Sequence, residues 1–161
     1  MGLDMYLSKR TYVKNWDHMS DSQKHNITVK QGDKIREDIK PERISYITEE
    51  VGYWRKFNAL HNYIVQNCAD GVDNCQEIEI SKDEMKELLE VLIKVHNMKN
   101  TLLESGNTEK LNDLFPTSKG FFFGSTEYDE YYFQDVKDTI ELFTELLKEE
   151  KTDYFTYQAS W

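Results

Sequence analysis

A chain of 161 residues with 39% apolar and 13% aromatic side chains has enough order-promoting content to fold. At that length folding buries roughly 70% of the unfolded surface, so no disulfide or metal is needed to hold a core. Its formal charge of −10 sits in the second half: eleven Lys/Arg against nine Asp/Glu over residues 1–66, six against eleven over 67–126, and three against ten over 127–153. That distribution argues against direct nucleic-acid binding, which needs a basic face, and no apolar run approaches the roughly 18 residues of a membrane span.

The opening MGLDMYLSKR sets no basic leader before its apolar residues, so no secretory signal is predicted. Cys68 and Cys75 read as reduced thiols of a cytoplasmic protein. Leu3, Met5 and Leu7 alternate with Asp4, Tyr6 and Ser8, the period of a half-buried strand. Residues 14–26 are polar and predict a loop. Residues 27–30 and 35–39, joined through Gly32, predict a hairpin, and residues 42–48 a further strand. From 49 to 68 the spacing turns helical, with Trp54, Phe57, His61, Ile64, Val65 and Cys68 on one side. Residues 69–75 break that helix, and 76–80 alternate as a short strand.

Ser81 followed by Glu84 forms a capping box. It opens a helix with the stripe Met85, Leu88, Leu89, Leu92 and Val95, terminated by Gly106. After a second loop at 112–126, Tyr132, Val136, Ile140, Phe143 and Leu147 mark a long helix. Residues 153–161 predict a closing strand beside residues 3–8. About three helices and short strands out of strict alternation predict an α+β fold. The expectation is one domain over residues 1–161, with the helices packed on a small, mainly antiparallel sheet.

Four clusters carry candidate chemistry. On the predicted helix, Trp54, Asn58 and His61 fall at i, i+4 and i+7, with Arg55 and Lys56 beside them. An aromatic plane, fixed cations, an amide and an imidazole suit a planar anionic ligand. The same residues also fit a core helix in which Asn58 and His61 satisfy backbone groups and the cations are solvated. Asp70 to Cys75 supplies turn formers, too few oxygens for a calcium loop, and a thiol that would need a base such as His61 to act as nucleophile.

The third cluster, Gly120-Phe121-Phe122-Phe123-Gly124-Ser125-Thr126, is expected to run directly into a helix, where free N–H groups and hydroxyls hold an anion. Ser125 or Thr126 capping that helix explains it in purely structural terms. It is not a Walker loop, since no Lys-Ser or Lys-Thr pair follows its second glycine. Tyr128 and Asp129 follow at once. The fourth cluster, the acidic run from Glu127 to Glu150, is either a solvated face or an imitation of nucleic-acid phosphates.

In this order the motifs resemble a group of small uncharacterised proteins encoded by bacteriophages and prophages. The matching features are Gly2-Leu3-Asp4-Met5-Tyr6-Leu7, Tyr53-Trp54-Arg55-Lys56 with Asn58 and His61, and Gly71-Val72-Asp73 with Cys75. Pro116, Gly120 to Thr126, Tyr128-Asp129 and Asp135 complete them. The resemblance implies a phage accessory protein that counters a host defence or regulatory system by binding.

Two binding mechanisms fit that role. In one, a polar and aromatic pocket sequesters a nucleotide-like ligand. Its residues would be Trp54, Arg55, Lys56, Asn58, His61 and Asp73, together with Gly120, Phe122, Gly124, Ser125, Thr126, Tyr128 and Asp129. In the other, the acidic surface blocks a nucleic-acid-binding host defence protein, as an anti-CRISPR inhibitor does. An enzyme would use His61 as general acid or base, with Asp73, Cys75 or Asp129 near it. An assembly subunit is a further alternative. No cofactor, metal or membrane partner is expected, and an oligomer is compatible with the sequence.

Overall fold

A computed structural model describing residues 2–161 has an α+β architecture. Strand β1 (Asp4–Tyr12) leads through a small hairpin of β2 (Lys30–Gln31) and β3 (Lys34–Ile35) to β4 (Tyr46–Arg55). Helix α1 (Asn58–Cys68), strand β5 (Ile78–Ile80) and helix α2 (Lys82–Asn97) follow. Two short helices, α3 (Lys99–Ser105) and α4 (Glu109–Leu114), precede the long α5 (Glu130–Leu146) and strand β6 (Tyr154–Ser160). The main sheet is antiparallel in the order β4-β1-β6-β5.

Its alternation decides which face is buried. Leu3, Met5, Leu7, Trp54, Phe155, Tyr157 and Ala159 point into one core with the helices, while Tyr6, Tyr53, Gln158 and Glu79 point away and are exposed. The closing strand lies where the sequence predicts it, with Leu7 opposite Tyr157 and Met5 opposite Ala159. The connection from 14 to 45 lies outside this core, since none of its residues is buried.

Several boundaries differ from the sequence reading: the hairpin expected at 27–30 and 35–39 shortens to Lys30–Gln31 and Lys34–Ile35, and the strand expected at 42–48 runs instead over Tyr46–Arg55. The helix expected from residue 49 begins at Asn58, and residues 46–55 are strand. Pairing with β1 along its whole length, continued through a bulge at Leu7/Ser8, outweighs the helical spacing of Trp54, Phe57 and His61. Gly52 allows this path: a Cβ there would stand 2.8 Å from the Trp54 ring and 2.9 Å from Leu142 of α5.

The capping box at Ser81 and Glu84 forms, and α2 buries Met85, Leu88, Leu92 and Val95. Its helical run breaks at Met98, after which α3 ends on Gly106 with φ 65°. The two elements α2 and α5 pack on each other, and α5 contributes Tyr132, Phe133, Val136, Phe143 and Leu146 to the core. Burial of each such side chain is worth about 1.5–3 kcal/mol. Among the described residues no helix is long and apolar enough to cross a membrane.

Candidate functional site

Between β4 and α1 the chain reverses within two residues. Lys56 takes a left-handed φ of 62°, uncommon for a side-chain-bearing residue. Phe57 follows at φ −80°, ψ 70°, so that Asn58 N–H donates to the Lys56 carbonyl at 2.9 Å in an inverse γ-turn. Phe57 is the N-cap of α1 and offers no side-chain acceptor, leaving first-turn N–H groups of the helix without a cap.

The loop at 116–126 is pinned against this turn. Asn58 donates to the carbonyls of Phe123 (3.0 Å) and Ser125 (2.8 Å) and accepts from Ser118 N–H (3.0 Å). The Thr117 hydroxyl donates to the Thr126 carbonyl, and Leu3 N–H to the Phe122 carbonyl. Gly124 stands at φ 88°, where a Cβ would approach the Lys56 Cβ to 3.0 Å. Side chains there would strain the backbone and crowd Lys56.

A cleft of about 330 Å³ opens between turn, loop and the start of α5. Arg55, Lys56, Phe57, Asn58 and Ala59 form one wall; Thr117, Gly124 and Ser125 another; Glu127, Asp129, Tyr131, Tyr132 and Asp135 the third. Arg55 holds only a long pair with Asp4, at 3.8 Å. Lys56 makes no ion pair among the described residues. Asp129 caps α5 by accepting from Tyr132 N–H at 3.0 Å. Asp135 is half-buried, and burial, then the neighbouring Asp138 and Asp129, push its carboxyl up to about 6.

The sequence-predicted site residues divide. Arg55, Lys56, Asn58, Gly124, Ser125 and Asp129 line this cleft. Thr126 and Tyr128 line a neighbouring one with Asn112 and Lys119, where the Tyr128 hydroxyl donates to the Asn112 carbonyl oxygen. Trp54 belongs to the core: it is 7% exposed and donates from its indole N–H to the Thr139 hydroxyl at 2.9 Å. As a strand residue it shares no helix face with Asn58 and His61. Gly120 and Phe122 line neither cleft; Gly120 lies under the Phe123 ring, and Phe122 is exposed. The segment 120–126 also does not open a helix, because α5 starts at Glu130 under the Asp129 cap.

His61 and Asp73 meet on the other side of the loop. His61 is 2% exposed, with Nε2 3.0 Å from Asp73 Oδ2 and Nδ1 2.7 Å from the Tyr157 hydroxyl. A carboxylate only accepts, so Nε2 donates to Asp73, and in the neutral imidazole Nδ1 is then the acceptor for the Tyr157 hydroxyl. Burial, then the charge of Asp73, raises the Tyr157 pKa and keeps that phenol protonated. The Trp161 indole donates to Asp73 Oδ1 at 3.2 Å, and the Phe123 ring stands edge-on to His61. Both ring nitrogens of His61 are therefore engaged inside the protein.

Along the acidic run, Glu141 pairs with Lys137, Glu145 with Lys148, and Glu149 with Lys9. Burial pushes the Cys68 thiol up to about 11, away from nucleophilic character. No group of three or more His, Cys, Asp or Glu residues converges as a metal site among the described residues. Sequence reasoning missed Phe57, Thr117, Tyr131 and Tyr132 as cleft residues, and gave Asp135 no place in a site. Asp135 carries two readable signals: its place among the motif residues of the resemblance, and a carboxylate flanking the apolar stripe of α5 between Tyr132 and Val136.

Comparison with family models, curated proteins and solved structures finds no match for this chain.

Proposed function

We propose that this chain acts by binding, as a phage-type accessory protein that sequesters a small nucleotide-like ligand in the cleft before α1. The counter-defence role rests on the resemblance in the sequence motifs; the ligand class rests on the cleft. The observation that carries it is the uncapped start of α1 beside two loosely held cations, Arg55 and Lys56, facing an open volume. Helix N-termini and cations together favour phosphate. At about 330 Å³ the cleft falls at the lower end of the range of roughly 300–1,000 Å³ found for small-molecule sites. Tyr131, 82% exposed on the third wall, is the aromatic ring free to close over a base.

Calorimetric titration with nucleoside monophosphates tests the reading. Arg55→Ala is expected to weaken binding by about tenfold or more, as loss of one charge-assisted contact does. Absence of binding by the unaltered protein at millimolar ligand would overturn the proposal.

A further inference from the structure

Residues 14–45 leave the sheet at the end of β1 and return at the start of β4, and none of them is buried. The segment is pinched at its root, where Val13 N–H donates to the Ser45 carbonyl at 2.9 Å. Beyond the root, hydrogen bonds hold a fixed shape. The Asn15 side-chain amide donates to the His25 carbonyl and accepts from His25 N–H, each at 2.7 Å. Lys14 donates to the Glu42 carbonyl, and Arg36 N–H to that of Val29 behind the β2–β3 hairpin. Ordering a chain costs conformational entropy residue by residue, and exposed hydrogen bonds offset little of it. Burial of apolar surface is the usual compensation, and the single chain does not supply it here.

Apolar side chains for such burial are present and open. Ile35 is 62% exposed and Trp16 50%, with Tyr46 and Ile47 exposed at the root. A cleft of about 390 Å³ runs along the segment, lined by Ile27, Val29, Ile35, Ile39 and Pro41. Charges of both signs surround it. Within the segment Lys30, Lys34, Lys40 and Arg43 make no ion pair among the described residues. At the adjoining end of the sheet Lys9 serves both Glu49 and Glu149, while the Glu50 and Glu150 side chains pair with no cation among the described residues. Asp153, just beyond Glu150, takes Tyr12 N–H at the root of the segment and so holds these acids beside it. One end of the molecule therefore carries apolar projections next to an apolar cleft, and spare cations next to spare carboxylates.

We infer that this end is a self-association surface, where residues 14–45 of one copy pack on the same segment of a second copy about a twofold axis. An isologous contact needs one patch that complements itself, and here both halves of the complement stand side by side. Ile35 enters the cleft of the other copy, and Lys30 and Lys34 at the hairpin face its Glu50 and Glu150. The segment is long enough, since a stable interface draws roughly 20–30 residues from each side and covers roughly 800 Å² of each. Charge agrees: residues 14–45 hold seven Lys/Arg against six Asp/Glu in a chain of formal charge −10. An unrelated acidic partner would answer the cations but not the carboxylates left beside them. The inference is independent of the ligand cleft, which lies at the far end of β4, by Arg55.

The test is sedimentation velocity of the full chain from about 1 to 100 μM, for wild type, Ile35→Asp, Lys30→Glu with Lys34→Glu, and Glu50→Lys with Glu150→Lys. Wild type is expected to sediment as a dimer at the upper concentrations. Ile35→Asp is expected to weaken association by about tenfold or more, since it sets a charge into an apolar contact. Each charge-reversed double variant is expected to be monomeric. Mixing the two is expected to restore a dimer of one copy of each, because both contacts across the axis then join opposite charges. All five positions are exposed, so melting temperatures are expected to stay near that of wild type. Wild type that remains monomeric at the highest concentration overturns the inference. A dimer that neither Ile35→Asp nor the charge reversals weaken overturns it as well, by placing the contact on another face.

Discussion

The two sides of the loop at 116–126 treat polar groups in opposite ways. Inside, His61, Asp73, Tyr157 and Trp161 form a chain in which both imidazole nitrogens have partners. Outside, in the cleft, Arg55 has one long pair, Lys56 has none among the described residues, and the half-exposed Asp135 carboxylate takes no hydrogen bond from the protein. A few residues of sequence supply both sides, since β4 and α1 hand over between Arg55 and Asn58. Polar groups paired inside the protein fix where chain segments lie; those beside open volume keep their charges toward solvent.

The largest effect belongs to the inner side. His61→Ala removes a ring packed against Phe123 and Tyr157 and leaves the buried Tyr157 hydroxyl without its acceptor. Cavity and unpaired hydroxyl together predict a loss of about 3–5 kcal/mol in urea unfolding. An unchanged unfolding midpoint, with ligand binding abolished, would instead move His61 to the functional side. Asn58→Ala comes next, at about 2 kcal/mol, because it strips partners from the carbonyls of Phe123 and Ser125 and from Ser118 N–H. It is expected to loosen the loop as well, which faster hydrogen exchange of the Ser118 amide would register.

Much of this architecture is legible in the sequence. The period-2 run at Leu3–Leu7, the β-branched and aromatic content of the closing strand, and the capping box at Ser81 each agree with tertiary structure because local pattern and burial point the same way. The junction at 46–58 is where they disagree. Trp54 fits both a helical stripe and an inward strand position, and only pairing with β1, distant in sequence, selects the strand. The candidate site was half legible for the same reason. Charge and amide types marked Arg55, Lys56 and Asn58, but which side of the loop each faces depends on a left-handed Lys56 that no local motif announces. Asp135 lies about eighty residues further on, and only the packing of α5 near the turn brings it to the cleft.

The outer side predicts small changes in stability. Arg55→Ala lies at an exposed position with a single long pair, so unfolding free energy is expected to shift by no more than about 0.5 kcal/mol. Lys56→Asn removes a charge and introduces a residue type that tolerates φ 62° better than lysine, so its stability is expected to be equal or slightly higher. Both should weaken nucleotide binding. A large loss of stability in either variant would place these cations with the structural residues and erase the difference between the two sides.

The finest distinction concerns Asp135 and pH. Its carboxyl titrates near 6 in the folded protein against 3.8 as an unperturbed side chain, so the folded state binds the proton more tightly than the unfolded one. Between those values the native protein holds the extra proton, and stability therefore falls as pH rises from about 4 through 6, then levels off. Asp135→Asn cannot ionise. It is expected to match wild type near pH 4 and to exceed it at pH 7, with the gain kept small because solvent reaches half of the group. Parallel unfolding curves for wild type and variant across pH 4–7 would show that Asp135 is hydrated like Glu127, and the cleft would lose the group that sets it apart from the closed network around His61.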